Sequence, residues 1–165
     1  MSQRGKQEQQ PENVFTSVYP GLSRRLINEV IVQWPSRDGL IPVPSTKVLT
    51  LWDTGADGSV ISPAIVDRLG LLPSGATEVY TANGIAFQDV YDISILLPGG
   101  LLIDTEATCA NLTSGQFSCL IGMDVIGRGD FAVSNFQGKT ACTFRYPSIE
   151  KIDFRDGFEL GETRD

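Results

Sequence analysis

The residues best suited to chemistry lie together in the segment Leu51–Ser59, LWDTGADGS. Asp53 follows an apolar run and precedes Thr54 and Gly55. A carboxylate at the end of an apolar strand is costly unless a hydrogen bond or a shared proton stabilises it. Gly55 would let a backbone or ligand approach closely, and the Thr54 hydroxyl could hold the loop. The pattern indicates an acid–base carboxylate, although a plain turn aspartate at the end of a strand has the same pattern.

The composition narrows the possible chemistry. The 165 residues include no histidine, so triads or dyads that use an imidazole and zinc sites with histidine ligands are excluded. Acid–base catalysis near neutral pH must then use a carboxylate, lysine, cysteine or tyrosine. With 20 acidic and 13 basic side chains the net charge is −7, which argues against nucleic acid or an anionic membrane as a partner.

The cysteines and apolar segments indicate a cytoplasmic protein. The chain has three cysteines, Cys109, Cys119 and Cys142, which is an odd number, and no C-x-x-C motif occurs. We therefore expect reduced, buried thiols rather than a metal cluster. The N-terminal segment lacks the apolar region of a secretory signal, and no apolar run reaches membrane-spanning length. We expect no metal, no cofactor and no membrane partner.

The chain divides into a core with two tails. Residues 1–20 are expected to form a flexible N-terminal arm, because their first part is rich in Gln and Glu. Residues 21–147 are expected to form one domain, and 148–165 a C-terminal tail. The tail is expected to dock on the domain through its large apolar residues Ile149, Ile152, Phe154, Phe158 and Leu160.

Strand patterns dominate the core. They predict strands over 26–34, 47–52 and 101–107, a hairpin around Asn83-Gly84, and a last hairpin that turns near Gln137-Gly138. Ser62, Pro63 and Gly70 are typical of the start and end of a short helix. A second short helix is predicted within Ile121 to Gly127. This pattern favours a mostly β barrel or sandwich.

Three landmarks, taken in order, resemble the retroviral-type (retropepsin-like) aspartic proteases. The first is Asp53-Thr54-Gly55-Ala56-Asp57 after an apolar strand, and the second is the hairpin around Asn83-Gly84, where that family has its flap. The third is Leu120-Ile121-Gly122, the hydrophobic-hydrophobic-Gly element beside the catalytic strand. The resemblance covers roughly Leu26 to Phe144. It implies a mostly β, single-domain acid protease barrel with a flap hairpin and one or two short helices.

The resemblance also implies a mechanism. Each chain would supply one catalytic aspartate, Asp53, so an aspartic endopeptidase would require a homodimer and would cleave a polypeptide bound in extended form. Support for the active-site loop would come from Thr54, Gly55 and Ala56. The residues expected to bind substrate are Asp57, Ala82, Asn83, Gly84, Ile121 and Gly122.

Departures from the viral pattern leave alternatives open. Viral members often carry an arginine after Gly122 that pairs with the aspartate at the position of Asp57, whereas here Met123 and Asp124 follow. This form resembles cellular or bacterial single-domain members more than viral ones. One alternative is a catalytically idle domain of this type, used for dimerisation or peptide binding. Another is a phosphate-binding loop as in the actin and sugar-kinase superfamily. The short length of the chain and its lack of a βαβ pattern argue against this second alternative.

Overall fold

The computed structural model describes residues 13–35, 42–81, 84–112 and 115–154, and β-strands are its main secondary structure. The strands are β1 Val14–Val18, β2 Ile27–Gln33, β3 Ser45–Trp52, β4 Ser59–Ile61, β5 Gly75–Thr81, β6 Gly84–Leu96, β7 Leu102–Cys109, β8 Cys119–Ile121, β9 Asp130–Ser134 and β10 Ala141–Arg145. The α-helices are α1 Pro63–Leu69 and α2 Met123–Ile126. The predicted strands and both predicted helices are therefore confirmed.

Six strands close into a barrel in the order β2-β3-β8-β4-β7-β6, and β6 pairs back with β2. The pairs β3–β8 and β4–β7 are parallel, and the others are antiparallel. Alternate side chains point inward, as the period of a strand requires. The core therefore fills with branched apolar residues, among them Val30, Val32, Ile93, Ile95 and Ile103.

A long hairpin projects from this barrel. The C-terminal part of β6 pairs with β7 from Val90 to Leu96, whereas its N-terminal part pairs with β5 from Gly84 to Val90. The pair Thr81↔Gly84 leaves a two-residue connection that lies one residue before the predicted Asn83-Gly84 turn. Gly84 has φ +113°, a conformation that residues with a side chain rarely adopt. The turn residues Ala82 and Asn83 lie outside the described residues.

The two ends of the described chain form a separate three-stranded sheet in the order β1-β10-β9. In its register Phe15 lies opposite Phe144, and Phe144 lies opposite Phe131. Their rings pack against Trp52 at the end of β3. The expectation of a flexible arm over residues 1–20 is therefore wrong for residues 14–18, because Phe15 is buried in this cluster and β1 pairs along its whole length.

Helix α1 begins and ends where the sequence predicted, but its capping differs from the prediction. Ser62 is the N-cap residue, Pro63 opens the helix, and Gly70 closes it with φ +61°. The Ser62 side chain makes no capping hydrogen bond, and its Oγ is buried with no partner among the described residues. The proline and the glycine therefore define the helix ends.

The described part of the C-terminal tail is attached by polar groups. The Asp130 carboxylate accepts hydrogen bonds from the Ser148 hydroxyl at 2.5 Å, the Ile149 amide at 3.1 Å, and the Arg145 guanidinium at 2.6 and 2.9 Å. The bond from Ser148, followed by those from Ile149 and Arg145, lowers the pKa of Asp130 to about 2. Docking through Ile149 and Phe154 is wrong, since they are 68% and 79% exposed, whereas Phe158 and Leu160 lie outside the described residues.

Candidate active site

Asp53 lies directly after β3, at the point where the backbone leaves the barrel wall. Its side chain is half-buried, and Oδ1 accepts a 2.9 Å hydrogen bond from the Gly55 amide. A Cβ atom on Gly55 would lie 3.2 Å from that carboxylate oxygen, so glycine permits this close approach. The Asp53 amide donates to the Ile121 carbonyl at 3.0 Å, and the Ala56 amide to the Asp53 carbonyl at 3.2 Å. The carboxylate thus has a fixed direction and an accessible face.

The end of β8 passes directly beneath this loop. The Met123 amide donates to the Ala56 carbonyl at 2.8 Å, and the Asp124 amide to the Asp57 carbonyl at 3.0 Å. Gly122 lies so close that a Cβ atom there would be 2.6 Å from the Gly58 carbonyl. The hydrophobic-hydrophobic-Gly element and the Asp53 loop are therefore brought together, and only glycine fits at position 122.

A buried hydroxyl and a carboxylate complete the support. Ser59, 1% exposed, donates from Oγ to Oδ1 of Asp124 at 2.9 Å and accepts the Gly122 amide at 3.2 Å. The second oxygen of Asp124 accepts the Thr105 hydroxyl at 2.8 Å. Asp124 therefore ties β4, β7 and α2 together behind the Asp53 loop, a role that sequence analysis did not assign to it.

Arg128 reinforces the same region without forming an ion pair. Its Nε donates to the Asp124 carbonyl at 2.7 Å, and its Nη1 donates to the Asp104 carbonyl at 2.6 Å. Nη2 lies 3.3 Å from the Thr105 hydroxyl oxygen, to which it donates. In the described part of the chain the Asp57 carboxylate has neither an ion pair nor a hydrogen bond, so hydrogen bonds of Asp124 and Arg128 anchor this region instead of an ion pair to Asp57.

The structure separates the other predicted site residues into two groups. Thr54, Gly55 and Asp57 are exposed around Asp53, with Ala56 half-buried beside them. Gly84 lies at the end of the hairpin, and Ala82 and Asn83 are outside the described residues. Of the residues predicted to bind substrate, Ile121 is fully buried in the core of this structure, and Gly122 is buried against Gly58.

Leu120 is a better candidate for substrate contact and was missed. It lies between the buried residues Cys119 and Ile121 but is half-buried itself. Successive side chains of a strand point to opposite faces, so Leu120 points away from the core that holds its neighbours. The alternation of a strand over Cys119-Leu120-Ile121 is the sequence signal from which this orientation of Leu120 could be predicted.

A cavity of about 820 Å³ adjoins the loop on its far side from Asp53. Gly58 and Ser59 form one wall, and the hairpin contributes Thr77 and Val90. Asp53 does not line it. Acidic side chains of β6 and β7 lie in its wall, namely Asp92, Asp104 and Glu106.

The cysteines offer no nucleophile at this site. All three are unpaired, and Cys119 and Cys142 are completely buried. Burial raises the pKa of Cys119 to about 11, so its thiol is neutral at physiological pH. Within the described ranges no three Cys, Asp or Glu side chains are placed to hold a metal ion. Neither helix of the described residues is long and apolar enough to cross a bilayer.

Comparison with known proteins identifies the class. Residues 43–128 match the family described as "gag-polyprotein putative aspartyl protease", so the chain belongs to this aspartic protease family. The match spans the Asp53 loop, the hairpin and Gly122. The fold is mostly β and retropepsin-like. It is not the two-domain fold on which the phosphate-loop alternative depended.

Solved structures with similar folds include viral and bacterial proteases. The EIAV protease in complex with the inhibitor HBY-793 is 22% identical, with 66% of this chain and 90% of that chain covered and a TM-score of 0.49. The simian foamy virus (mac) protease is 19% identical, with coverages of 59% and 91% and a TM-score of 0.41. A retropepsin-like aspartic protease from Rickettsia conorii is 14% identical, with coverages of 74% and 96% and a TM-score of 0.43. No curated protein matches the chain in sequence.

Proposed function

We propose that this protein is an aspartic endopeptidase whose active site forms only in a homodimer, with Asp53 from each chain in a catalytic dyad. The observation that carries the proposal is the Asp53 carboxylate, half-buried at the exit of a barrel strand and fixed by the Gly55 amide. Within the chain, Asp124 is unsuitable as the second carboxylate, because Ser59 and Thr105 occupy its oxygens. A second copy of the chain would supply the missing group.

The chemistry follows from bringing two carboxylates together. Two such groups a few ångströms apart do not both ionise easily, so they share one proton and titrate as a pair. The ionised carboxylate takes a proton from a bound water, which attacks the scissile carbonyl. The protonated carboxyl polarises that carbonyl, and the leaving amine later receives the proton. This mechanism needs neither histidine nor a cofactor.

The surroundings suit an extended peptide. We propose that the β5–β6 hairpin is the flap, and that Ala82, Asn83 and Gly84 close over the substrate and exclude water. Thr54 is exposed and would link the two catalytic loops across the dimer axis. Gly55 and Asp57 would face the peptide backbone, and Leu120 a substrate side chain. Three unpaired thiols suit a reducing compartment, so we propose that the enzyme acts in the cytoplasm.

The proposal is tested by incubating the protein with a peptide mixture from a denatured proteome between acidic and neutral pH. Mass spectrometry then identifies the cut sites for the wild type and for Asp53→Asn. The proposal requires cut sites that the wild type produces and Asp53→Asn does not. Equal results from the two proteins would instead support a catalytically idle domain that dimerises or binds peptides.

A further inference from the structure

Trp52, the residue directly before Asp53, joins the catalytic loop to the sheet formed by the two ends of the described chain. Its side chain is 5% exposed. The indole stacks on Phe131 of β9 at a centroid distance of 5.3 Å and an interplanar angle of 18°. It also meets Phe15 of β1 at 5.8 Å and Phe144 of β10 at 5.3 Å. Each strand of that sheet therefore contributes one ring to the surroundings of Trp52.

A chain of hydrogen bonds links Trp52 to the same sheet. The indole Nε1 donates to Oδ1 of Asn28 on β2 at 2.9 Å. The side-chain amide of Asn28 donates in turn to the Ser17 hydroxyl on β1 at 2.5 Å. A buried indole N–H needs an acceptor. These two hydrogen bonds therefore fix the ring about its long axis, while the aromatic contacts fix its plane. Strand β1 thus reaches Trp52 through both Phe15 and Ser17.

The backbone carries this constraint to Asp53. The Trp52 amide donates to the Leu26 carbonyl at 2.9 Å, and the Asp53 amide to the Ile121 carbonyl at 3.0 Å. The two amides are therefore held by different segments of the chain, one on each side of the α-carbon that carries the indole. A shift of the Trp52 backbone, which the packed indole opposes, would turn the following peptide and redirect the Asp53 carboxylate. A displacement of about 1 Å in a catalytic group can cost on the order of 10²-fold in rate.

We infer that Trp52 is a positioning residue for Asp53, and that strand β1 acts on the catalytic loop through it. The inference rests on the proposed function, because it assigns Trp52 a role in that reaction. It also makes residues 14–18, which lie far from Asp53 in sequence, part of the machinery that orients the carboxylate.

The test uses Trp52 as its own reporter. The chain has 2 tryptophans, so Trp34→Phe leaves Trp52 as the only tryptophan in the full-length protein, and its emission can be excited selectively over that of the tyrosines. In this background Ser17→Ala removes the acceptor of Asn28 and leaves Phe15 in place. Thr16→Ala is the matched control, because Thr16 is the next residue of β1, is exposed, and bonds only to strand β10 through Thr143. Phe15→Leu is a second variant that removes the ring contact and keeps an apolar side chain.

Ser17→Ala and Phe15→Leu are expected to change the emission of Trp52 and to speed amide exchange at Asp53–Ala56. They should lower kcat about fivefold, the effect of one ordinary hydrogen bond, with little change in KM. Thr16→Ala should change none of these. The inference is overturned if Ser17→Ala and Phe15→Leu behave like Thr16→Ala, or if they lower only the melting temperature. Emission and exchange do not require activity, so they still decide the inference if the wild type cleaves no peptide and the proposed function fails.

Discussion

The Ser59 hydroxyl donates a 2.9 Å hydrogen bond to the Asp124 carboxylate, which joins the strand after the Asp53 loop to helix α2. These residues are 65 positions apart in the chain. The same hydroxyl accepts the Gly122 amide, so a single oxygen serves both the carboxylate and the backbone beneath the loop. The anchoring of the loop therefore depends on a neutral donor and one carboxylate rather than on an arginine–aspartate pair.

Ser59→Ala is expected to destabilise the protein by about 1–3 kcal/mol, because the Gly122 amide and one oxygen of Asp124 both lose their partner in a buried region. Chemical denaturation measures the free energy of unfolding. Ser59→Thr is the control, since it keeps the hydroxyl. Equal unfolding midpoints for the alanine variant and the wild type would contradict the anchoring role of Ser59.

Gly122→Ala is expected to damage the loop, because the new Cβ atom would lie 2.6 Å from the Gly58 carbonyl. Overpacking of this kind costs roughly 1–3 kcal/mol and here would also displace the peptide of Asp53. Gly58→Ala is a matched control, since a Cβ atom at that position meets nothing within 4 Å. Thermal unfolding and amide exchange at Gly55 and Ala56 distinguish the two variants. Equal melting temperatures for Gly122→Ala and Gly58→Ala would show that the close approach of Gly122 to Gly58 is not needed for stability.

Asp53→Asn is expected to lower peptide cleavage by at least about 10²- to 10⁴-fold, the contribution of a positioned acid–base group. The fold and the dimer should persist, because asparagine has the same size and can still accept the Gly55 amide. Sedimentation analysis and circular dichroism accompany the peptide assay. Asp67→Asn, on the exposed surface of α1, controls for the loss of one negative charge. A dimer lost only in Asp53→Asn would point to a structural Asp53.

Activity is expected to depend on protein concentration and on pH. One catalytic aspartate per chain means that dilution below the dimer dissociation constant should lower specific activity. At low pH both Asp53 carboxyls are protonated and no base remains. At high pH both ionise, the acid is lost, and their repulsion weakens the dimer. A bell-shaped profile that belongs to the pair should result, measured with a fluorogenic peptide beside analytical ultracentrifugation. Full activity in a strict monomer would exclude the mechanism.

The attachment of Ser148 and Ile149 to Asp130 is expected to weaken in acid. Because the Ser148 hydroxyl, the Ile149 amide and the Arg145 guanidinium lower the pKa of Asp130 from 3.8 to about 2, the folded state favours the ionised form. The stabilisation is therefore complete above the unfolded pKa and is lost as pH falls from about 4 to about 2. Melting temperatures across this range should converge for the wild type and Asp130→Asn. A constant difference down to pH 2 would show that ionisation of Asp130 is not involved.

The local features of the site could be predicted from sequence. The Asp53 loop, the hairpin turn before Gly84 and the Pro63 start of α1 each depend on residues within a few positions of one another. Their signals are turn chemistry and capping chemistry, which act locally. The number of short strands in the sequence predicted a barrel. Its closure through the pairing of β2 with β6 could not be predicted in this way.

The contacts between distant segments could not be predicted in this way. No local pattern pairs Ser59 with Asp124, because a hydroxyl and a carboxylate are ordinary surface residues until the fold brings them together. Phe15 lies in a short segment beside a polar, Gln-rich stretch, so composition placed it in a flexible arm. Its burial depends on Trp52 and Phe144, which only tertiary structure supplies.

The pairing of β1 with β10 also sets the order of events on the ribosome. Thr16 and Thr143 are bonded across a sequence separation of 127, so β1 has no partner until almost all of the described chain has been synthesised. At about 5–20 residues per second, that interval is roughly 6–25 s. The barrel strands β2 to β8 can associate during this time, whereas the aromatic surroundings of Trp52 are completed last. A nascent chain would therefore carry a formed barrel before the Asp53 loop is fully oriented, which would delay the proposed activity until β9 and β10 have been synthesised.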